Sequence, residues 1–340
     1  MSDRKQLEIL STISLNEAQI NRIKAVNRAV KVSIVKRRDG EEVSSDQWQK
    51  AEVVLTGGRK LPEVGEAPNL RWVHIPFAGV DPVLDAPILK EKKVVTTSSS
   101  GVMISQMGEY VVMALLMLGH KMPEIIRAQQ ERKWLMSKML APVELRGSTV
   151  GIVGYGSVGR EVARRLHSFG ATVLAAKRDV MHPEDRGYTP EGLGDPDGDY
   201  FTRLYPIEGL KGMLADCDFV LIALPLTAET RHLFNAEIFA AMKPGACLIN
   251  VSRGDVIDES ALEHALKTGH LGGAVLDVFS QEPLPEESPL WSLDNLIITP
   301  HVSGVSNHFL DDMIDLFCEN LARYIDGKPL HNVVDFEKGY

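Results

Sequence analysis

The sequence predicts an α/β protein in which a doubly wound parallel sheet occupies the middle of the chain, inserted into a smaller α/β domain built from the two ends. Three observations carry this. At 340 residues the chain exceeds what one hydrophobic core ordinarily organises, so two domains are expected. Between residues 105 and 302, apolar runs of strand length alternate with segments of helical period. Those runs are apolar at nearly every position, as strands are when crossover helices cover both faces of their sheet.

The runs are Thr149 to Gly154, Thr172 to Ala176, Phe219 to Leu224, Ala246 to Val251, Gly272 to Leu276 and Leu296 to Thr299. Six strands alternating with helices predict a Rossmann-like, doubly wound domain over 105–302. The section before it carries the same pattern more faintly, with strands at Val32 to Val35, Val53 to Leu55, Trp72 to Ile75 and Val94 to Thr96. It reads as a smaller, flavodoxin-like domain. After residue 302 the stretch Phe309 to Tyr324 places Phe309, Met313, Leu316, Phe317, Leu321 and Tyr324 on one helical stripe that needs a partner. The simplest partner is the first section, which makes that domain discontinuous, 1–104 with 303–340. Gln106 to Met122 is an apolar helix, read either as a buried connector or as a connector that also lies in a subunit interface.

Composition excludes several classes of function. A hydrophobic fraction of 44% and a charged fraction of 24% exclude a disordered or fibrous chain. A net charge of -9 argues against a general binder of nucleic acid or anionic membranes. The three cysteines, Cys217, Cys247 and Cys318, lack CxxC spacing, so neither a disulfide framework nor a metal site is expected. The N-terminus MSDRKQLEIL has no apolar core of signal length, and the longest apolar run, Val111 to Leu118, is too short to span a bilayer. A cytoplasmic protein is expected.

The segment TVGIVGYGSVGR sets Gly154, Gly156 and Gly159 directly after a buried strand and before a helix. Gly154 permits a tight turn, Gly156 lets the backbone approach a pyrophosphate, and Gly159 allows helix to pack closely on strand. Ser157 and Val158 lie between the last two glycines, where the helix N-terminus offers amide donors. A dinucleotide is therefore the expected cofactor. The second strand ends in Lys177 and Arg178, where an NAD-preferring fold usually presents an acidic residue to the ribose 2′-hydroxyl. Two cations suit a 2′-phosphate, so NADP(H) is favoured over NAD(H), with Asp179 as the alternative ribose partner.

Ligands of open α/β sheets bind outside the carboxyl ends of the strands. Arg253 follows CLINVS, Asp277 and Glu282 follow GAVL, and His301 follows LIITP. Together they can reduce a 2-oxo acid. Arg253 offers a planar fork to the carboxylate and carbonyl oxygens, and His301 exchanges a proton near neutral pH. Glu282, bonded to the imidazole, would keep it protonated and fix its tautomer. Asp277 is placed to hold the nicotinamide.

The stretches NVSRGDVIDESAL, GGAVLDVFSQEPLP and NLIITPHVSG resemble the three signatures of the D-isomer-specific 2-hydroxyacid dehydrogenase family, in the family's order. GYGSVGR, LPLTAETRHLFN and WVHIPFAGVD are similar to further elements of it. The resemblance implies that Arg253 binds substrate, that Glu282 and His301 form the acid-base pair, and that the backbone at Ala78 and Gly79 receives the carboxylate. Leu224, Pro225, Thr230, Ser252 and Gly304 lie in the same matched segments and are expected to line the cofactor. A homodimer through the cofactor domains and a cleft closing by hinge motion are also implied. The basic pair resembles glyoxylate and hydroxypyruvate reductases, in which an aromatic reaches a neighbouring active site. Trp134 is open between that role and plain packing.

The stretch from Met181 to Pro206 is longer than the family's usual connection and, rich in Gly, Asp and Pro, is expected to be a surface loop. Glu282 speaks against formate dehydrogenase, which pairs its histidine with glutamine. A cofactor-sensing corepressor with the same trio is the second reading.

Overall fold

Parallel strand pairing organises the chain into two units, which the computed structural model describes over residues 6–35, 42–57, 61–91, 93–136 and 140–339. One unit comprises Met1–Val102 with Asn307–Tyr340, and the other Met103–Ser306.

The first unit carries strands Leu7–Ser11 (β1), Val30–Ile34 (β2), Val53–Leu55 (β3), Trp72–Ile75 (β4) and Val95–Ser98 (β5), with helices Glu17–Val26 (α1) and Ser45–Lys50 (α2). The strands are all parallel in the order β2-β1-β3-β4-β5, the flavodoxin arrangement. The first strand was not expected, because Glu8 interrupts the apolar run of LEILS; parallel pairing to both neighbours makes it central. The last helix of the chain, Phe309–Ile325 (numbered α9 in chain order), packs against Trp72, whose ring stacks on Phe317 at 5.0 Å and on Tyr324 at 5.7 Å. Arg22 of α1 pairs with Asp311 and Asp315 on the same helix.

His74 of β4 is fully buried in this unit. Its Nδ1 lies 2.8 Å from Thr97 Oγ1 and its Nε2 3.0 Å from Ser99 Oγ. Burial pushes its pKa down to about 3.

The second unit contains strands Thr149–Val153 (β6), Thr172–Ala176 (β7), Arg203–Tyr205 (β8), Phe219–Ile222 (β9), Cys247–Asn250 (β10), Gly273–Leu276 (β11) and Leu296–Ile298 (β12). All pairings are parallel, in the order β12-β11-β10-β9-β6-β7-β8. The strand order reverses between β6 and β9, the switch point where doubly wound sheets bind ligands. The expected six strands become seven, since the short polar edge strand β8 carries no apolar run. Alternation along β9 shows the two-sided burial directly. Phe219 and Leu221 face a core under Ile104–Gly119 (α3) and Ser157–Phe169 (α5). Val220 and Ile222 face the opposite core under Leu210–Leu214 (α6), Ala236–Ala241 (α7) and Glu259–Lys267 (α8). The apolar connector helix ends at Gly119, after which Lys121 adopts a left-handed φ of 54° and Met122–Gln130 (α4) begins.

The stretch after β7 is largely exposed or half-buried with little regular structure, as expected of a surface loop, but it is clamped onto α5 and the turn before it. Asp195 is 2% exposed, and its carboxylate accepts from Tyr155 Oη at 2.6 Å and from the amides of Gly198, Asp199 and Tyr200. Arg160, also 2% exposed, donates to the carbonyls of Asp195 and Pro183. Glu161, fully buried, accepts from Arg164, Arg165 and the Gly194 amide. Its burial alone would raise the carboxyl's pKa, and these three donors more than offset that, leaving it lowered. Buried polar groups inside the loop and beneath it make the stretch part of the domain.

Two outcomes follow for stability. Replacing Asp195 by Ala strands a phenol and several amides, and should cost about 3 kcal/mol in denaturant unfolding, with early proteolysis between residues 179 and 200; wild-type protease resistance would contradict it. For His74, the folded state resists protonation while the unfolded chain protonates at an ordinary pKa. Stability is therefore complete above about pH 6.5 and falls toward pH 3, by up to about 1.4 kcal/mol per pH unit. His74→Gln should flatten this dependence relative to wild type, and parallel curves would contradict it.

Candidate active site

The candidate residues of the second unit sit at the carboxyl ends of strands of the seven-stranded sheet, or in the loops that follow. The turn after β6 is shaped by its glycines in three different ways. Gly154 has φ +103°, and a Cβ there would lie 2.3 Å from the Ala223 carbonyl oxygen. Gly159 is as tightly constrained, its Cβ position 2.3 Å from the Gly154 oxygen. Gly156 is different, for a Cβ there would meet nothing within 4 Å. It is the N-cap of α5, with extended backbone and no side-chain cap. Open space thus faces the first amides of a 13-residue helix at the sheet's switch point, beside Ser157 and Val158. The residues present fit a dinucleotide's pyrophosphate.

At the end of β7, the basic pair divides. Lys177 turns its Nζ onto the His182 carbonyl at 2.6 Å, and burial, with Arg160 nearby, lowers its pKa. Arg178 is more exposed and meets Glu229 at 2.7 Å. Asp179 is occupied locally, bonded to His182 Nδ1 at 2.8 Å and to the Met181 amide. In the loop after β9, Thr230 Oγ1 donates to the Pro225 carbonyl at 2.7 Å and closes the turn, while Leu224 packs on the core.

Arg253 follows β10, and Asn250, fully buried, builds its turn. The Asn250 side chain accepts from Ser252 Oγ at 2.7 Å and from the Ser252 amide, and it donates to the Arg253 carbonyl at 3.0 Å. Sequence reading passed over Asn250 because it lies inside the apolar run. At Gly254, a Cβ would lie 1.8 Å from the carbonyl carbon of Phe279, so only glycine lets this turn pack onto the loop that carries Glu282.

That loop and the one after β12 bring Glu282 and His301 together. Glu282 Oε2 lies 2.7 Å from His301 Nδ1, and Glu282 Oε1 accepts from the Phe279 amide at 3.0 Å. With Nδ1 held by the carboxylate, Nε2 is the nitrogen left to exchange a proton with a ligand. His301 is half exposed and has a left-handed φ of 53°, uncommon for a residue with a side chain. Asp277 is wholly buried. Its Oδ1 accepts from Thr299 Oγ1 at 2.6 Å and from the Val302 amide at 2.8 Å, and its Oδ2 accepts from the Ser303 amide at 2.8 Å. Its carboxylate is thus spent on the backbone on either side of His301. Gly304, further along, accepts at its carbonyl from Gln106 Nε2 at 3.1 Å.

Ala78 and Gly79 lie in the first unit, in the loop after β4, Ala78 exposed and Gly79 half-buried. Ser99 anchors this loop, its amide donating to the Phe77 carbonyl at 3.1 Å and its hydroxyl to Ile75 at 3.2 Å. Trp134 is 95% exposed, which removes the plain packing role within this chain. Among the described residues no group of His, Cys, Asp and Glu could hold a metal ion, and no helix is long and apolar enough to cross a membrane.

The sequence profile of the D-isomer specific 2-hydroxyacid dehydrogenase NAD binding domain matches residues 112–303. A glyoxylate reductase of Korarchaeum cryptofilum is 34% identical over 274 residues, 80% of this chain and 78% of that protein. A glyoxylate/hydroxypyruvate reductase B of Pectobacterium atrosepticum is 32% identical, over 84% of this chain and 86% of that one. The crystal structure of a D-isomer specific 2-hydroxyacid dehydrogenase from Xanthobacter autotrophicus Py2, in complex with NADPH and MES, superposes with a TM-score of 0.81 at 32% identity, covering 99% of this chain and 100% of that one. Profile, relatives and fold agree, and the chain belongs to the D-isomer-specific 2-hydroxyacid dehydrogenase family of NAD(P)-dependent oxidoreductases.

Proposed function

We propose that this dehydrogenase reduces a small 2-oxo acid of the glyoxylate or hydroxypyruvate class to the D-2-hydroxy acid, with NADPH as preferred donor. The observation that carries the chemistry is the 2.7 Å contact between Glu282 and His301 Nδ1, which directs the other ring nitrogen outward as a proton donor. Bound at the glycine turn, the dinucleotide supplies a hydride. Arg253 binds the substrate carboxylate in a forked geometry and polarises the carbonyl. As the carbonyl oxygen gains charge, His301 delivers its Nε2 proton, and Glu282 stabilises the imidazolium until then. In the oxidative direction His301 takes the proton back. NADPH preference rests on the basic end of β7, where Arg178 is the better-placed cation because Lys177 is committed to the His182 carbonyl. The relative solved with NADPH supports the same preference.

A homodimer in the cytoplasm is the proposed setting. Met113 of α3, Ile126 of α4 and the following Trp134 are exposed apolar residues on neighbouring segments, as a subunit interface requires. The three cysteines are free, as a reducing compartment keeps them.

An NADPH-oxidation assay across a panel of 2-oxo acids, repeated with NADH, tests the reading. Turnover of glyoxylate or hydroxypyruvate is expected, and the doubly neutral variant Lys177→Gln/Arg178→Gln should raise the KM for NADPH at least tenfold more than that for NADH, the loss of a charge-assisted contact. No turnover with any 2-oxo acid sinks the enzyme reading in favour of a cofactor-sensing protein, and equal effects on both cofactors sink the preference.

His301→Ala should keep cofactor binding by fluorescence titration and lose turnover by at least about a hundredfold. Glu282→Gln removes the charged partner of His301 Nδ1 and should lower kcat by about tenfold or more with the KM for NADPH little changed; wild-type kcat removes Glu282 from that role.

A further inference from the structure

We infer that Tyr110 of α3 and Thr299 at the end of β12 are positioning residues for His301, acting through the buried carboxylate of Asp277. The inference rests on the reading of His301 as the proton donor. Tyr110 Oη lies 2.5 Å from Thr299 Oγ1, and Thr299 Oγ1 donates to Asp277 Oδ1 at 2.6 Å. The threonine has one hydroxyl proton, which goes to the carboxylate, so the tyrosine must be the donor in the first bond. The chain of donors therefore runs one way, from a phenol through a hydroxyl to a carboxylate. Burial pushes the Tyr110 phenol up to about 12 and so keeps the donor protonated across the working range of pH.

What the carboxylate holds gives the chain its purpose. Asp277 Oδ1 and Oδ2 take the amides of Val302 and Ser303, and the Asp277 carbonyl takes the His301 amide at 2.8 Å. Residues 299, 302 and 303 are thus pinned to one buried group, and between them His301 is left in the left-handed conformation. Such a backbone persists only where its surroundings over-determine it. Among the described residues the carboxylate receives three hydrogen bonds, and the one from Thr299 alone comes from a side chain. Remove the threonine hydroxyl and Oδ1 can swing away from the Val302 amide, taking the imidazole out of line with Glu282 at its Nδ1. Glu282 is the titratable group facing that ring, and Asp277 lies beneath its backbone. Tyr110 holds the threonine rotamer from the far side, on an adjoining helix that carries none of the proposed site residues.

The test compares Thr299→Val, Thr299→Ser and Tyr110→Phe in the full-length enzyme, with His301→Ala as control. Thr299→Val keeps the side-chain shape and should lower kcat by about tenfold or more, as displaced catalytic groups do, with the KM for NADPH within about twofold. Thr299→Ser should restore kcat. Tyr110→Phe should give a smaller loss of about threefold, in kcat and not in cofactor KM. If Thr299→Val lowers kcat, cofactor affinity and melting temperature together, or serine does not restore kcat, the residues serve folding alone and the inference fails. Wild-type kcat in both Thr299→Val and Tyr110→Phe would overturn it as well. Full turnover in His301→Ala would instead bring down the assignment of the proton donor, a separable failure.

Discussion

A sheet whose strands all run one way and are buried on both faces leaves few places for polar chemistry. Along β9 every side chain enters one of two apolar cores, and no strand interior of the second unit can present a charge to a ligand without stranding it in low dielectric. Functional groups must gather where the strands end. Because parallel strands all end on the same edge, groups separated by dozens of residues in sequence become neighbours there. The glycine turn after β6, Arg253 after β10, Glu282 after β11 and His301 after β12 all obey this constraint.

Bringing several loops to one edge creates a crowding problem, and the chain solves it with close backbone contacts and buried polar hubs. Gly154 against Ala223 and Gly254 against Phe279 are approaches that any side chain would block. Asn250, Asp277 and Asp195 are buried polar groups that collect the amides and hydroxyls of turns otherwise left without partners. Each hub orders one loop. Asn250 shapes the Arg253 turn, Asp277 the backbone around His301, and Asp195 the long connection after β7. The geometry around the strand ends is therefore held in large part by buried polar hubs and close backbone approaches.

The connection after β7 shows what composition leaves out. Its Gly, Asp and Pro content reads as a surface loop, yet Arg160 and Glu161, charged residues from a helix that reads as amphipathic, are buried beneath it and bonded to it. Lys177 is drawn in by the same packing, which separates it from Arg178 although the two are adjacent in sequence. Trp134 is 95% exposed, which its neighbours QQERK in sequence do not report.

Sequence alone determined the two-domain α/β plan, most strands of both sheets, the glycine turn and the polar residues at strand ends. These are local signals, since apolar runs, glycine spacing and a charge after a buried strand do not depend on what lies far away. The tertiary structure decided what depends on partners distant in sequence: that β1, interrupted by Glu8, and the polar edge β8 are strands, that Glu282 meets His301 over 19 positions, and that Asp277 points its carboxylate at backbone. A hydrogen bond has two ends, and periodicity reports only one of them.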